Sequence, residues 1–181
     1  MIAYHDREWG EPVHDDRKHF EFLVLDAFQA GLSWAIIMKK RESFRRALDG
    51  FDPERIARYR PASVGRLLKD AGIIRNRLKI EATISNARAF LKIQDEAGSF
   101  DRFVWRFTDG HTKQNAWIRL PQIPPRSRES DRLSDALRER GFKFVGSTIC
   151  YAYMQAAGMV NDHLVTCFRY RALARRRSPS R

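Results

Sequence analysis

An all-α domain is predicted, on three observations. Apolar residues recur with helical spacing through most of the chain, and these runs tend to open on helix-capping residues and close on glycine. No stretch alternates apolar and polar residues for long enough to make a useful strand. No internal repeat is found either, so the 181 residues read as one domain with a sizeable core.

The elements follow in order. Asp15 and Asp16 can cap a helix with Phe20, Leu23, Val24, Ala27 and Ala30 on one face, closed by Gly31. Ser33 opens the next, through Trp34, Ile37 and Met38 toward Ala47. Asp52-Pro53 is an N-cap with a first-turn proline, and Pro61-Ala62-Ser63 opens a helix expected to stop at Gly72. From Arg75 to Ala97 the positions of Leu78, Ala82, Ile84, Ala87, Phe90 and Leu91 predict a long helix, and Ser99 can cap a short one carrying Phe103, Trp105 and Phe107. Residues 109–129 hold Pro121, Pro124 and Pro125 with little periodicity, which predicts a long surface loop, disordered in part. Ser130 starts a helix with Leu133, Ala136 and Leu137 inward and Gly141 at its end. The tight turn Gly141-Phe-Lys-Phe-Val-Gly146 then leads to a helix from Ser147 to Ala157, stopped by Gly158.

Composition narrows the function. Twelve Phe, five Tyr and four Trp are ample for a packed interior. The net charge of +12 points to a polyanion, above all nucleic acid, although an arginine-rich proteome alone would produce the same balance. The first 30 residues carry Asp6, Glu8, Glu11, Asp15, Asp16, Glu21 and Asp26 against Arg7, Arg17 and Lys18, so the basic excess lies downstream. It culminates in Arg169–Arg181, a tail expected to be disordered beyond residue 170. The apolar stretch Phe22–Met38 is broken by Asp26, Gln29, Gly31 and Ser33 and cannot span a bilayer, so no membrane partner is expected. Two cysteines and no recognisable leader predict the cytoplasm.

Three groups of residues carry chemistry. Helix, glycine-bounded turn and helix at 130–157 form a helix-hairpin-helix pattern, whose backbone N–H groups can hold a phosphate without reading sequence; Lys143 in the turn agrees, while an ordinary helical hairpin is the alternative. His163 and Cys167, four apart, would share a face if their segment were helical and are zinc-type ligands, but two ligands make no site. His5 offers a third, beside Tyr4 as an aromatic face.

Tyr4-His-Asp-Arg-Glu-Trp-Gly10, Gln29-Ala-Gly-Leu-Ser-Trp34, Asp70-Ala-Gly-Ile-Ile-Arg75, the Gly141–Gly146 turn with Thr148-Ile-Cys-Tyr151, and Asn161-Asp-His163 closely resemble the DNA-3-methyladenine glycosylase I family. The resemblance runs from residue 1 to about 170. It implies a single-domain helix-hairpin-helix glycosylase fold with the N- and C-terminal segments brought together, acting as a monomer on alkylated double-stranded DNA. The implied reaction is hydrolytic release of N3-methyladenine, whose positive charge already weakens the glycosidic bond. The site therefore needs aromatic faces, a carboxylate and shape more than a strong nucleophile.

By that resemblance Tyr4 and Trp34 sandwich or flank the extruded base, and Asp26 accepts hydrogen bonds from its polar edge and is the residue assigned to catalysis. The family usually has Glu there, one methylene longer. Gln29, Gly31 and Leu32 form the wedge that enters the duplex, with Leu32 as the plug, and Lys143 and Gly146 belong to the phosphate-holding hairpin. The implied metal is a structural zinc held by His5, His163 and Cys167 with a further Cys upstream of Tyr4. No Cys precedes His5 in this sequence, so either the true start lies further upstream or the site has three ligands or none bound. Asn161 stands where wider relatives have a catalytic Asp, and Asp162 is not assigned that role. Trp9, Trp105 and Trp117 read as packing and Cys150 as a small buried hydrophobe. Two alternatives stay open: a non-catalytic DNA-binding module of the same fold, and a glycosylase of wider alkylpurine scope.

Overall fold

The computed structural model describes residues 1–174. Its helices are α1 (Ile2–Arg7), α2 (Asp16–Gln29), α3 (Trp34–Ala47), α4 (Pro53–Ala57), α5 (Pro61–Lys69), α6 (Arg77–Ala97), α7 (Phe100–Trp105), α8 (Arg128–Glu139), α9 (Ser147–Ala156) and α10 (Phe168–Ala174). Two short parallel strands, β1 (Lys113–Gln114) and β2 (Val160–Asn161), pair Lys113 with Val160 and Gln114 with Asn161. The all-α expectation holds, with this one bridge added.

Helix α2 is the axis of the core. Every residue from His19 to Phe28 is buried, because α3, α6, α7 and α9 all pack on it. Phe20 meets Phe90 of α6 edge-on at 5.1 Å, and Phe90 stacks on Phe100 at 4.2 Å. A helix enclosed on all sides buries its polar residues too. This explains why His19, Glu21 and Asp26 lie inside.

The caps predicted from sequence form where their bonds are local. Asp15 accepts from Lys18 N at 2.8 Å, Asp52 from Glu54 N and Arg55 N, and Ser99 from Arg102 N. Asp16 turns outward from its own helix instead and accepts from the backbone of Phe100 and Asp101 and from Gln94 Nε2, tying α2 to the start of α7. Some boundaries shift for equally local reasons. Helix α5 ends at Lys69 because Asp70 Oδ1 takes the Gly72 N–H at 2.7 Å. Helix α6 begins at Arg77 because Asn76 caps it through Lys79 N. Helix α8 begins at Arg128, two residues before Ser130, because Ser127 is the cap and Ser130 N donates to it.

The expected loose loop at 109–129 is instead pinned. Beyond the β1–β2 bridge, Asn115 and Trp117 donate side-chain hydrogen bonds to Asp162, each at 2.7 Å, and a 3₁₀ turn spans Leu120–Gln122. The segment after β2 is irregular up to Phe168, so His163 and Cys167 do not share a helix face as their spacing suggested. Helix α10 continues past residue 170 to Ala174 with Leu173 buried, and the rest of the basic tail, 175–181, lies outside the described residues.

The N-terminal segment is clamped to the end of α9. Val13 N donates to Ala157 O, and Arg169 pairs with Glu11. Gly158 has φ +70°, and a Cβ there would overlap the backbone of Glu11 and Pro12. Gly158→Ala is expected to lower stability by about 2–3 kcal/mol, since both the left-handed backbone and the overlap oppose the methyl group. Gly141→Ala, at φ +84° with open space around it, carries the backbone penalty alone, about 1 kcal/mol. Urea unfolding of the two variants checks the difference.

Candidate active site

A cavity of about 500 Å³ opens between the two ends of the fold, walled by Tyr4 of α1, Asp26 and Gln29 of α2, Trp34 of α3, the 3₁₀ turn, the end of α9 and residues 162–167. Helix α1, only six residues long, is fixed from outside. Arg41 of α3 grips Glu8 through both terminal nitrogens, at 2.7 and 2.6 Å, and donates from Nε to Glu21 at 2.8 Å; Lys18 adds a contact to Glu8. Burial pushes the Glu8 carboxyl up, but its hydrogen bonds to Arg41 and Lys18 outweigh that and bring it down to about 2. Tyr4 is thereby held against the cavity, its phenol pushed above the usual range by burial and by the negative charge of Asp26.

Asp26 is almost wholly buried, and its Oδ2 has no hydrogen-bond partner. Burial pushes its pKa well above that of an ordinary carboxyl. The side chain faces the cavity with its protonated form favoured by burial, a form that can both donate and accept.

Tyr4 and Trp34 are neighbours, with ring centroids 5.6 Å apart and planes inclined at 51°. A planar base stacked between two rings needs about 7 Å between them, twice a ~3.5 Å contact. The two rings therefore form adjoining walls of the cavity and not two parallel faces spaced for a ring between them.

Gly31 turns the chain between α2 and α3 at φ +79° and leaves Leu32 exposed; Gln29 and Trp34 on either side of the turn are part of the cavity wall, Gly31 and Leu32 are not. The turn is rigid: Lys79 of α6 donates from Nζ to Phe28 O at 2.8 Å and Ala30 O at 2.6 Å, closing the carbonyl end of α2. In the hairpin, Lys143 N donates to Asn86 Oδ1 and Asn86 Nδ2 donates to Lys143 O. That backbone N–H is thus used internally and cannot serve a phosphate. What the hairpin presents is the exposed Lys143 side chain and the start of α9, where Gly146 supplies no side-chain cap.

His5, His163 and Cys167 place their ligand atoms within 4.8 Å of one another, with Cys167 Sγ 3.7 Å from His5 Nε2. Each imidazole is oriented from behind. His5 Nδ1 bonds Asp6 Oδ1 at 2.7 Å, and His163 Nδ1 bonds Asn161 Oδ1 at 3.1 Å. His163 Nε2 is left buried without a partner. Burial, with the nearby His5 and Arg169, brings the His163 imidazole down to about 4, so it is neutral near pH 7. A thiol and two imidazoles with outer oxygens on their far nitrogens suit zinc.

This chain matches the methyladenine glycosylase family over residues 1–170. It is 50% identical over 169 residues to DNA-3-methyladenine glycosylase 1 of Escherichia coli (strain K12), covering 93% of this chain and 90% of that protein. The chain belongs to the methyladenine glycosylase family. The crystal structure of a 3-methyladenine DNA glycosylase I superposes with a TM-score of 0.90 at 53% identity, covering 92% of each chain. A second, a variant of a 3-methyladenine DNA glycosylase I in complex with 3-methyladenine, gives 0.90 at 33% identity, over 92% of this chain and 89% of that one.

Within this methyladenine glycosylase fold, Tyr4, Asp26, Gln29, Trp34, His5, His163 and Cys167 share one cavity, whereas Lys143 and Gly146 are not among its lining. Sequence reasoning missed the residues that hold these in place. Asp162 accepts from Asn115, Trp117, Tyr151 and Gln155, at 2.7 to 2.8 Å. Arg41, Asn86 and Asn161 act likewise on Glu8, the hairpin and His163. The position of Asn161-Asp162 within a family-like block was the one signal available; the others carry none.

Asp26 also makes stability depend on pH. The folded protein holds the Asp26 proton above the range where the unfolded chain has lost it, so stability falls as pH rises from about 3.9, the unfolded value, toward the raised folded one. Asp26→Asn removes this dependence. It is expected to melt higher than the parent at pH 7 by at least about 2 °C, with the gap closing as pH falls to about 4, measured by calorimetry across that range.

Proposed function

We propose that this chain removes N3-methyladenine from alkylated DNA, taking the extruded base into the cavity bounded by Tyr4, Asp26 and Trp34 and leaving an abasic site. The observation that carries the reading is the buried Asp26 carboxyl, its Oδ2 without a partner, facing a cavity whose adjoining walls are aromatic. N3-methylated adenine is cationic while joined to the sugar, and the faces of Tyr4 and Trp34 attract such a cation. Asp26 meets the polar edge of the base, and an ionised Asp26 is favoured once that cation arrives beside it. Water then adds to C1′ of the sugar as the glycosidic bond breaks. The bond's electron pair returns to the base, which leaves neutral, and the water proton is lost to solvent. The residues supply selection and charge placement, with no covalent intermediate.

Leu32, on the Gly31 turn beside Gln29, fills the space left in the duplex, while Lys143 and the N-terminus of α9 beginning after Gly146 hold the phosphate backbone. A DNA substrate and two unpaired cysteines fit a reducing compartment, the cytoplasm. Among the described residues no helix is long and apolar enough to cross a membrane.

Incubation with methylated duplex DNA is expected to release N3-methyladenine and not N7-methylguanine, read by chromatography of the free bases. The same assay on Asp26→Asn is expected to run about 10–100-fold slower, the scale of one or two charge-assisted hydrogen bonds. Equal release of both bases by the parent would mean a wider alkylpurine scope. No release by folded protein would leave a DNA-binding module.

His5, His163 and Cys167 would hold zinc as a structural tie between α1 and the segment before α10, the unpartnered Nε2 of His163 supporting that fit. When bound, zinc supplies cohesion there rather than reactivity. Three protein ligands complete only part of a tetrahedral shell, so binding is expected to be weak. Added zinc should raise the melting temperature of the parent and leave Cys167→Ser unchanged. Equal responses from the two would remove the metal role.

A further inference from the structure

Residues 117–123 carry two large apolar side chains into the open: Ile118 is 62% and Leu120 69% exposed. Single exposed apolar residues are ordinary on any protein, so rigidity and position decide what these two mean. The segment is rigid. Gln122 Oε1 accepts the backbone N–H groups of Ile118 and Arg119 at 2.9 and 2.8 Å. The turn is closed by Gln122 N to Arg119 O and Ile123 N to Leu120 O, both 3.0 Å. Behind it, the Trp117 indole is bonded to Asp162 and the Trp117 carbonyl accepts from Val165 N at 2.9 Å. A chain held this way cannot fold Ile118 and Leu120 back onto the core.

Position is equally specific. Leu120 and Ile123 line the same cavity as Tyr4, Asp26 and Trp34, so this strap forms part of its rim. The surrounding charge is basic: Arg119 lies between the two apolar residues and Arg128 follows, both exposed. The acids nearby in sequence are engaged, Glu129 by Lys113 and Asp131 by Arg126. Apolar side chains interleaved with arginine at a cavity mouth suit an opened base step, which exposes flat apolar faces beside phosphates.

We propose that the strap is a second DNA-contacting element, separate from the Gly31–Leu32 turn, in which Ile118 and Leu120 pack against nucleotides flanking the extruded base and Arg119 meets a backbone phosphate. This rests on the reading that the cavity receives a base from duplex DNA. The partner is the duplex around the lesion, and the contact is indifferent to sequence.

The test compares the parent with Ile118→Ser, Ile118→Ser/Leu120→Ser and Arg119→Gln. Each is assayed for release of N3-methyladenine from methylated duplex and for binding of free 3-methyladenine by tryptophan fluorescence. Ile118 is not among the residues lining the cavity. Ile118→Ser should therefore bind free base within about 2-fold of the parent, and the double variant should lose about 10-fold or more in kcat/KM on duplex, the scale of one or two large apolar contacts. Arg119→Gln should reduce the slope of log affinity against log salt by about one. All four proteins should melt alike, since the altered side chains are exposed. Unchanged duplex kinetics in the double variant would overturn the proposal. So would loss of free-base binding by Ile118→Ser in step with its duplex activity, because the strap would then be only a pocket wall. A parent that neither binds free base nor releases it from DNA would overturn the cavity reading, and the strap's role with it, while fully active variants alongside an active parent would sink the strap alone.

Discussion

The grip of Arg41 on Glu8 and Glu21 is the contact on which the cavity depends. Helix α1 has too few residues to persist by itself in water, where an isolated helix needs roughly 12–15. Its seat comes from a two-pronged guanidinium–carboxylate pair whose geometry fixes direction as well as distance. Burial alone would loosen the proton on Arg41, but Glu8 and Glu21 more than offset it and hold the charge firmly. Tyr4 and His5 ride on this helix, so an aromatic wall and a zinc-type ligand both take their positions from one ion pair.

Two buried aspartates at the cavity meet opposite fates. Asp162 receives four side-chain donors from two parts of the chain and so serves as a fixed anchor, joining the 113–117 segment to α9. Asp26 receives none at Oδ2 and carries the full penalty of burial. Folding alone gives no reason to keep such a group. A carboxyl kept short of partners in the free protein has its strongest interaction still to make, and it can make it with a cationic ligand.

What could be read from sequence divides by range. Asp15, Asp52 and Ser99 cap within two or three residues of themselves, and a capping signal of that reach is visible in a string of letters. The helices between them follow the period of their apolar residues. The wall residues Tyr4 and Trp34 were legible through family-like blocks, and Asp26 through the resemblance those blocks carry, none of them through periodicity. Residues 109–129 looked loose because they have no period, yet they are held by Asp162, more than forty positions away for both Asn115 and Trp117. The His163–Cys167 spacing mimicked a helix face. In fact Asn161 and the turn at Leu164–Cys167 set that pair, and His5 arrives from the far end of the chain. Long-range side-chain bonds leave no trace in local pattern, and they position most of this site.

The parallel bridge between Lys113 and Val160 carries a consequence for synthesis on the ribosome. Core helices α2, α3 and α6 can begin to pack while the later part of the chain is still being translated, since chains fold from the N-terminal side as they emerge. The bridge cannot close until Val160 has cleared the exit tunnel, and the cavity joins residues as distant as Tyr4 and Cys167. A nascent chain stalled in the hairpin would thus hold much of the hydrophobic core with no place for a base. The capacity to bind would appear late and all at once, as the last contacts of highest sequence separation fall into register.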